Sequence, residues 1–141
     1  MEKFVDVILP LPLHACFTYS LPEDIAGSVQ IGCRVVVPFG RKKYYTAIVQ
    51  NIHYSAPAGY EVKEVSALLD AHPILLPEQF RFWDWLADYY LCTRGDVYKA
   101  ALPSGLKLES ETIVEYNPDF ESDVQLPEKE QKILDLLAAE P

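Results

Sequence analysis

The stretch Gly32-Cys33-Arg34-Val35-Val36-Val37-Pro38-Phe39-Gly40-Arg41-Lys42-Lys43 constrains the fold most, because a β-branched run is closed by Pro and Gly and followed at once by three cations. Valine-rich runs suit a pleated, half-buried surface. Val35, Val37 and Phe39 fall on one face and Arg34 and Val36 on the other, as a half-buried strand requires. Pro38 has no N–H to give a central ladder, and Gly40 takes backbone angles closed to other residues. The strand therefore stops there, leaves backbone polar groups exposed and delivers a basic turn. Such a turn either meets an anionic ligand or keeps a sheet edge soluble. These residues alone leave both readings open.

Around this run, the chain from Phe4 to Asp70 is a series of short β-rich segments separated by Pro and Gly: Phe4–Leu9, Phe17–Leu21, Cys33–Phe39, Tyr44–Tyr54 and Val62–Leu69. Regular short strands with turn signals between them predict a small barrel. Gly40 to Lys43 predicts a hairpin into Tyr44. A different pattern begins at Pro77, where Pro in the first turn and Glu78 beside it mark a helix N-terminus. The helix runs to Tyr90, with Arg81, Asp84 and Asp88 as its polar stripe. Phe80, Phe82, Trp83, Trp85, Leu86, Ala87, Tyr89 and Tyr90 make a wide apolar arc, which predicts packing on more than one side. The aromatic residues read as core, not as a base-stacking platform. Gly95 is expected to end or bend this helix, and Asp96–Leu102 to form a further helical turn. The expected fold is mainly β with α (α+β), a small OB-like β-barrel of five to six strands covered by an aromatic-rich helix.

Beyond Pro103 the composition turns acidic, with one expected strand at Thr112–Tyr116 and a linker around Asn117–Gln125. The last stretch, from Leu126, is an amphipathic helix whose Ile133, Leu134 and Leu137 share a face and meet no second element. Isolated helices of this length are marginal in water, so the helix reads as the beginning of a second domain in a longer protein. The expected division is a body at 1–104, an acidic linker at 105–125 and a truncated domain at 126–141.

The net charge of −9 argues against nucleic acid until it is located. Residues 1–104 hold 9 Lys and Arg against 11 Asp and Glu, a net −2, whereas 105–141 hold 3 against 10, a net −7. The body is nearly neutral, with Arg41, Lys42 and Lys43 as its local cationic run. That suits a weak, salt-sensitive contact with a small piece of a polyanion. Cys16, Cys33 and Cys92 are odd in number and form no CxxC, which argues against a disulfide scaffold or thiolate metal site and favours a reducing compartment. Asp6, Pro10 and Pro12 interrupt the N-terminal apolar run, so no signal peptide is expected, and no stretch nears the roughly 20 apolar residues of a membrane span. A cytoplasmic protein is the expectation.

Candidate catalytic groups are weak. Asp84 and Asp88 beside Arg81 read as a solvated stripe with a helical ion pair. His14 and Cys16 lack a placed partner to orient the imidazole. His53 and His72 have no ligand spacing, and neither GxxxxGK[ST] nor GxGxxG occurs. No catalytic residue, metal or cofactor is expected in the chain.

The ordered strings Val7-Ile8-Leu9-Pro10-Leu11-Pro12-Leu13, Phe17-Thr18-Tyr19, Leu21-Pro22 and Gly32 to Arg41 resemble the start of the PriA family of bacterial primosomal replication-restart helicases. So do Ala87-Asp88-Tyr89-Tyr90, Gly95-Asp96-Val97 and Ala101-Leu102-Pro103. The resemblance covers about the first hundred residues. It implies a module that binds the 3′ end of a nascent DNA strand at a stalled fork, followed by the first helix of a winged-helix domain. The ATP-dependent 3′-to-5′ helicase motor and cysteine-bound zinc of that family would lie beyond Pro141, as would its dealings with primosome and single-strand-binding proteins. A bacterial cytoplasmic, nucleoid-associated location is implied.

By position, the family's pocket for the terminal nucleotide falls on Phe17, Thr18, Gly40 and Lys63. Phe17 and Gly40 offer backbone groups that any base satisfies, and Lys63 a stem for the base and a charge for phosphate. Arg41, Lys42 and Lys43 are expected on the phosphates behind it. Thr18 departs from the family pattern, whose Asp accepts from the terminal 3′-hydroxyl, and this implies weaker discrimination against a blocked end. The alternative reading is a protein-interaction module that docks through the C-terminal amphipathic helix and acidic tail.

Overall fold

Five short strands carry the alternation expected of them: β1 (Phe4–Ile8), β2 (Phe17–Ser20), β3 (Arg34–Phe39), β4 (Lys43–His53) and β5 (Ala67–Leu68). The structure is a computed structural model and describes residues 1–111, 113–119, 121 and 123–139. The strands form one antiparallel sheet in the order β2-β1-β4-β3-β5. Alternate residues Val5, Val7, Val35, Val37, Ala47 and Val49 are fully buried on its inner face, each valine contributing roughly 1.5–3 kcal/mol. Between Asp6 and Val7 the register shifts so that Val7 faces Val49 while Asp6 faces Asn51, which makes Gln50 a bulge residue.

The expected long strand at Val62–Leu69 is instead split between two partners. Ser20 N–H donates to the Lys63 carbonyl at 3.0 Å and Val65 N–H to the Ser20 carbonyl at 3.0 Å, after which Ser66 N–H turns to the Val36 carbonyl at 2.8 Å. A segment that crosses from β2 to β3 cannot keep a long ladder with either. The crossing closes the sheet into a barrel. The guanidinium of Arg34 then locks it, Nη2 donating to Asp70 Oδ1 at 2.7 Å and Nε to Oδ2 at 3.0 Å. These bonds hold the Asp70 carboxyl below the usual carboxylate range.

Ile8 and Ile48 point to the outer face, where α2 (Pro77–Tyr89) and α3 (Arg94–Ala101) cover them with Leu75, Trp83, Ala87, Val97, Tyr98 and Leu102. Tyr98 is fully buried, its hydroxyl donating to the Thr46 carbonyl at 2.6 Å and its ring stacked on Trp83 at 5.8 Å. The expectation that α2 packs on several sides fails. Trp83 and Ala87 are buried, but Phe82, Trp85, Tyr89 and Tyr90 are each more than half exposed. A helix laid on one sheet face buries one stripe, and the remaining rings stack on one another, Trp85 on Tyr89 at 5.0 Å.

Gly95 does not end α2. That helix stops before Leu91, which takes φ 52°, and Gly95 lies in the first turn of α3. There a Cβ would collide with the carbonyl oxygens of Leu11 and Leu9, the latter at 2.6 Å. Thr93 and Asp96 cap the helix reciprocally, Asp96 N–H to Thr93 Oγ1 at 3.1 Å and Thr93 N–H to Asp96 Oδ2 at 3.0 Å. The one-turn α1 (Glu23–Ala26) between β2 and β3 was not expected from the sequence.

Residues 113–116 form no strand, and Thr112 lies outside the described residues. Pairing occurs a few residues earlier, where Thr46 N–H donates to the Leu108 carbonyl at 3.0 Å and Ser110 N–H to the Tyr44 carbonyl at 3.1 Å. This edge of β4 is open because β1 pairs only with its second half. The chain divides into two units, Met1–Ser110 and Glu111–Pro141. The second contains α4 (Glu128–Ala139), on which Leu134 and Leu137 are half-buried while Ile133 and Leu136 are exposed.

Candidate functional site

A cleft of about 150 Å3 opens where the start of β2, the end of β3 and residues 60–63 meet, and Phe17, Thr18, Gly40 and Lys63 all line it. Its floor is aromatic. Phe17 is half-buried and meets Phe39 edge-on at 5.1 Å, and Phe39 meets Tyr45 at 6.2 Å. Pro38 is tolerated because β5 pairs only with Val35 and Val36, so no donor is needed there. Its carbonyl accepts from the Tyr19 hydroxyl at 2.9 Å. Burial, with Tyr60 nearby, pushes the Tyr19 phenol up to about 12, so it remains a donor at neutral pH.

Gly40 takes φ 74°, which the tight β3–β4 hairpin requires, and its carbonyl faces the cleft. Lys63 Nζ donates to that carbonyl at 3.0 Å. Two residues 23 positions apart, both expected at the site, thus meet directly. Arg41, Lys42 and Lys43 follow on the same hairpin, fully on the surface, and none of them has an ion pair among the described residues. Beside them the cleft is lined by one cation, Lys63, and one carboxylate, Glu61, so the hairpin supplies the excess positive charge there.

Thr18 enters the cleft through its backbone. Its N–H donates to the Tyr60 hydroxyl at 3.2 Å, whereas its side chain turns to the other face of β2. There Thr18 Oγ1 donates to Asp6 Oδ1 at 2.6 Å, and His53 Nε2 lies 3.0 Å from the same oxygen. Burial would raise the Asp6 carboxyl, but the bonds from Thr18 and His53 outweigh it and hold it below the usual range. Reading the sequence missed both Asp6 and Tyr60. Asp6 carries a signal, a lone charge between Val5 and Val7 in an apolar strand. Tyr60 carries only an aromatic next to Gly59 in an irregular loop.

The remaining titratable groups sit elsewhere. Asp84 pairs not with Arg81 but with Arg94, at 2.5 Å, and Arg81 turns to Glu78 at 3.5 Å. Burial raises the Cys16 thiol, which donates to Gln50 Oε1 at 2.8 Å. Among the described residues no three His, Cys, Asp or Glu side chains gather as a metal site would require, and no helix is long and apolar enough to cross a membrane.

Two family models match the chain. The 3′ DNA-binding domain (3′BD) of PriA matches residues 6–103, and a winged-helix domain matches residues 111–141. Among curated proteins, the replication restart protein PriA of Haemophilus influenzae is 38% identical over 108 residues, which cover 74% of this chain and 14% of that protein. Its counterpart in Bacillus subtilis is 33% identical over 137 residues, covering 94% of this chain and 17% of that protein. The Treponema pallidum protein is 29% identical over 108 residues, 74% of this chain and 16% of that one. The chain thus spans well under a fifth of the length of these relatives.

Proposed function

The chain belongs to the PriA 3′ DNA-binding domain family, and from that premise we propose that its cleft receives the 3′-terminal nucleotide of a DNA strand. The observation that carries this is the convergence of Phe17, Gly40 and Lys63 on one aromatic-floored cleft beside an unpaired cationic hairpin. Thr18 N–H supplies a donor and the Gly40 carbonyl an acceptor. The Watson–Crick edge of every base presents a donor and an acceptor side by side, so backbone groups of this kind hold any base without reading sequence. The Phe17 ring offers a surface on which a base stacks, and Lys63 places charge near its phosphate. The cleft is too small for a duplex and has about the size of a single base, whose sugar and phosphate would lie at its mouth.

Within replication restart this makes the body up to Ser110, whose last residues pair with β4, the end reader, and the part from Glu111 on, with α4, the beginning of a winged-helix domain. The whole protein would be an ATP-dependent 3′-to-5′ helicase with bound zinc, acting in the cytoplasm at stalled forks with primosome and single-strand-binding proteins.

Fluorescence anisotropy with short single strands labelled at the 5′ end tests the proposal. Strands with a free 3′ terminus are expected to bind clearly tighter than strands whose 3′ terminus is buried in a hairpin; equal binding would reduce the chain to a generic polyanion binder. Because Thr18 gives its hydroxyl proton to Asp6, a strand ending in a 3′-phosphate is expected to bind within about tenfold of the free hydroxyl. A larger gap would assign hydroxyl reading to this site after all.

The basic hairpin has its own signature. Replacing Lys42 and Lys43 together by Gln is expected to lower the slope of log affinity against log salt by roughly one to two units, as loss of two phosphate contacts on a single strand demands. An unchanged slope would leave the hairpin as a solubility device.

A further inference from the structure

Tyr60 is the one cleft residue whose polar group already sits on a backbone donor that base recognition would use. Its hydroxyl accepts the Thr18 N–H at 3.2 Å, while three residues on Lys63 donates to the Gly40 carbonyl at 3.0 Å. Together these side chains present an acceptor to Thr18 and a donor to Gly40, which is the pair that the Watson–Crick edge of a base presents. Gly59, at φ 100°, turns the chain so that Tyr60 faces back to β2. The Tyr60 residue is 50% exposed. Its ring is in ring contact with no aromatic among the described residues, although Phe17 and Phe39 line the same cleft.

We propose that Tyr60 is a specificity-determining residue of this cleft: its hydroxyl competes with the terminal base for the Thr18 N–H, and its ring stacks on that base once displaced. The inference rests on the reading of the cleft as a 3′-nucleotide site. Competition follows from valence, since one N–H serves one good acceptor at a time. Stacking follows from position, because a half-exposed ring anchored by its hydroxyl at the base edge needs only side-chain rotation to lie over the base. The two effects have opposite signs on affinity, and two substitutions separate them.

The test is anisotropy of a 5′-labelled oligothymidylate with the 141-residue chain, the Tyr60→Phe variant and the Tyr60→Ala variant. Tyr60→Phe keeps the ring and removes the competitor, so it is expected to bind a free 3′ end about 2- to 10-fold tighter than the parent chain. Tyr60→Ala also loses the stack and is expected to bind at least about fivefold more weakly than Tyr60→Phe. None of the three should differ on a hairpin-buried 3′ end. Tyr60→Phe binding no tighter than the parent overturns the competition, and Tyr60→Ala matching Tyr60→Phe overturns the stacking. If the parent chain prefers free ends and Tyr60→Phe is unchanged, only this inference falls; if the parent shows no preference, the 3′-nucleotide reading falls with it.

Discussion

Replacing Phe17 by Ala is expected to erase the preference for a free 3′ end, lowering affinity for it by roughly 5- to 150-fold while leaving weak binding to a buried end in place. The magnitude follows from the roughly 1–3 kcal/mol that one base–aromatic stack contributes. Phe17 also supports Phe39 edge-on at 5.1 Å, so its loss opens the cleft floor as well as removing a ring. The residual binding comes from Arg41, Lys42 and Lys43, which the substitution does not touch. Phe17 is only half-buried at the end of an edge strand, so the variant should remain folded. A thermal melt run beside the anisotropy titration separates the two effects. A folded Phe17→Ala chain that still prefers free 3′ ends would place the base elsewhere.

The largest effect on stability is expected at Gly95. Helix propensity alone favours Gly→Ala in a helix by up to about 1 kcal/mol. Here the sign reverses, because the added methyl would run into the carbonyl oxygens of Leu11 and Leu9, and these belong to the backbone that leads out of β1. Backbone cannot step aside as a side-chain tip does, so α3 must lift away from the sheet and loosen Val97 and Tyr98 beneath it. Gly95→Ala should therefore lower unfolding free energy by about 3 kcal/mol. Urea denaturation reads this directly, and Gly27→Ala is the control, since a Cβ there meets nothing within 4 Å. A midpoint for Gly95→Ala equal to that of the parent would mean that α3 is not held against β1 in solution.

How much of this was legible beforehand varies by element. The hairpin at Gly40 to Lys43 and the helix start at Pro77 were readable because Pro and Gly act locally, on their own backbone angles. The wide aromatic arc on α2 misled because hydrophobicity states what a helix could bury, whereas the sheet beneath it offers one face. Trp83 and Phe82 are neighbours in sequence and opposites in burial for that reason alone. The length of the last barrel strand also escaped, since Val62–Leu69 has strand composition throughout but serves two partners in turn.

The site shows the same division. Residue types and order by themselves determined that a β-branched strand ends in a glycine turn carrying three cations, that Phe17 begins a short strand, and that the acidity lies in the tail. These depend on steric preference, periodicity and charge, which are local. Tertiary structure alone decided that Lys63 reaches the Gly40 carbonyl, that Tyr60 holds the Thr18 N–H, and that the Thr18 hydroxyl leaves the cleft for Asp6. Each joins residues 12 to 42 positions apart. Such pairings follow from barrel closure and strand register, in which a shift of one residue turns every side chain to the opposite face.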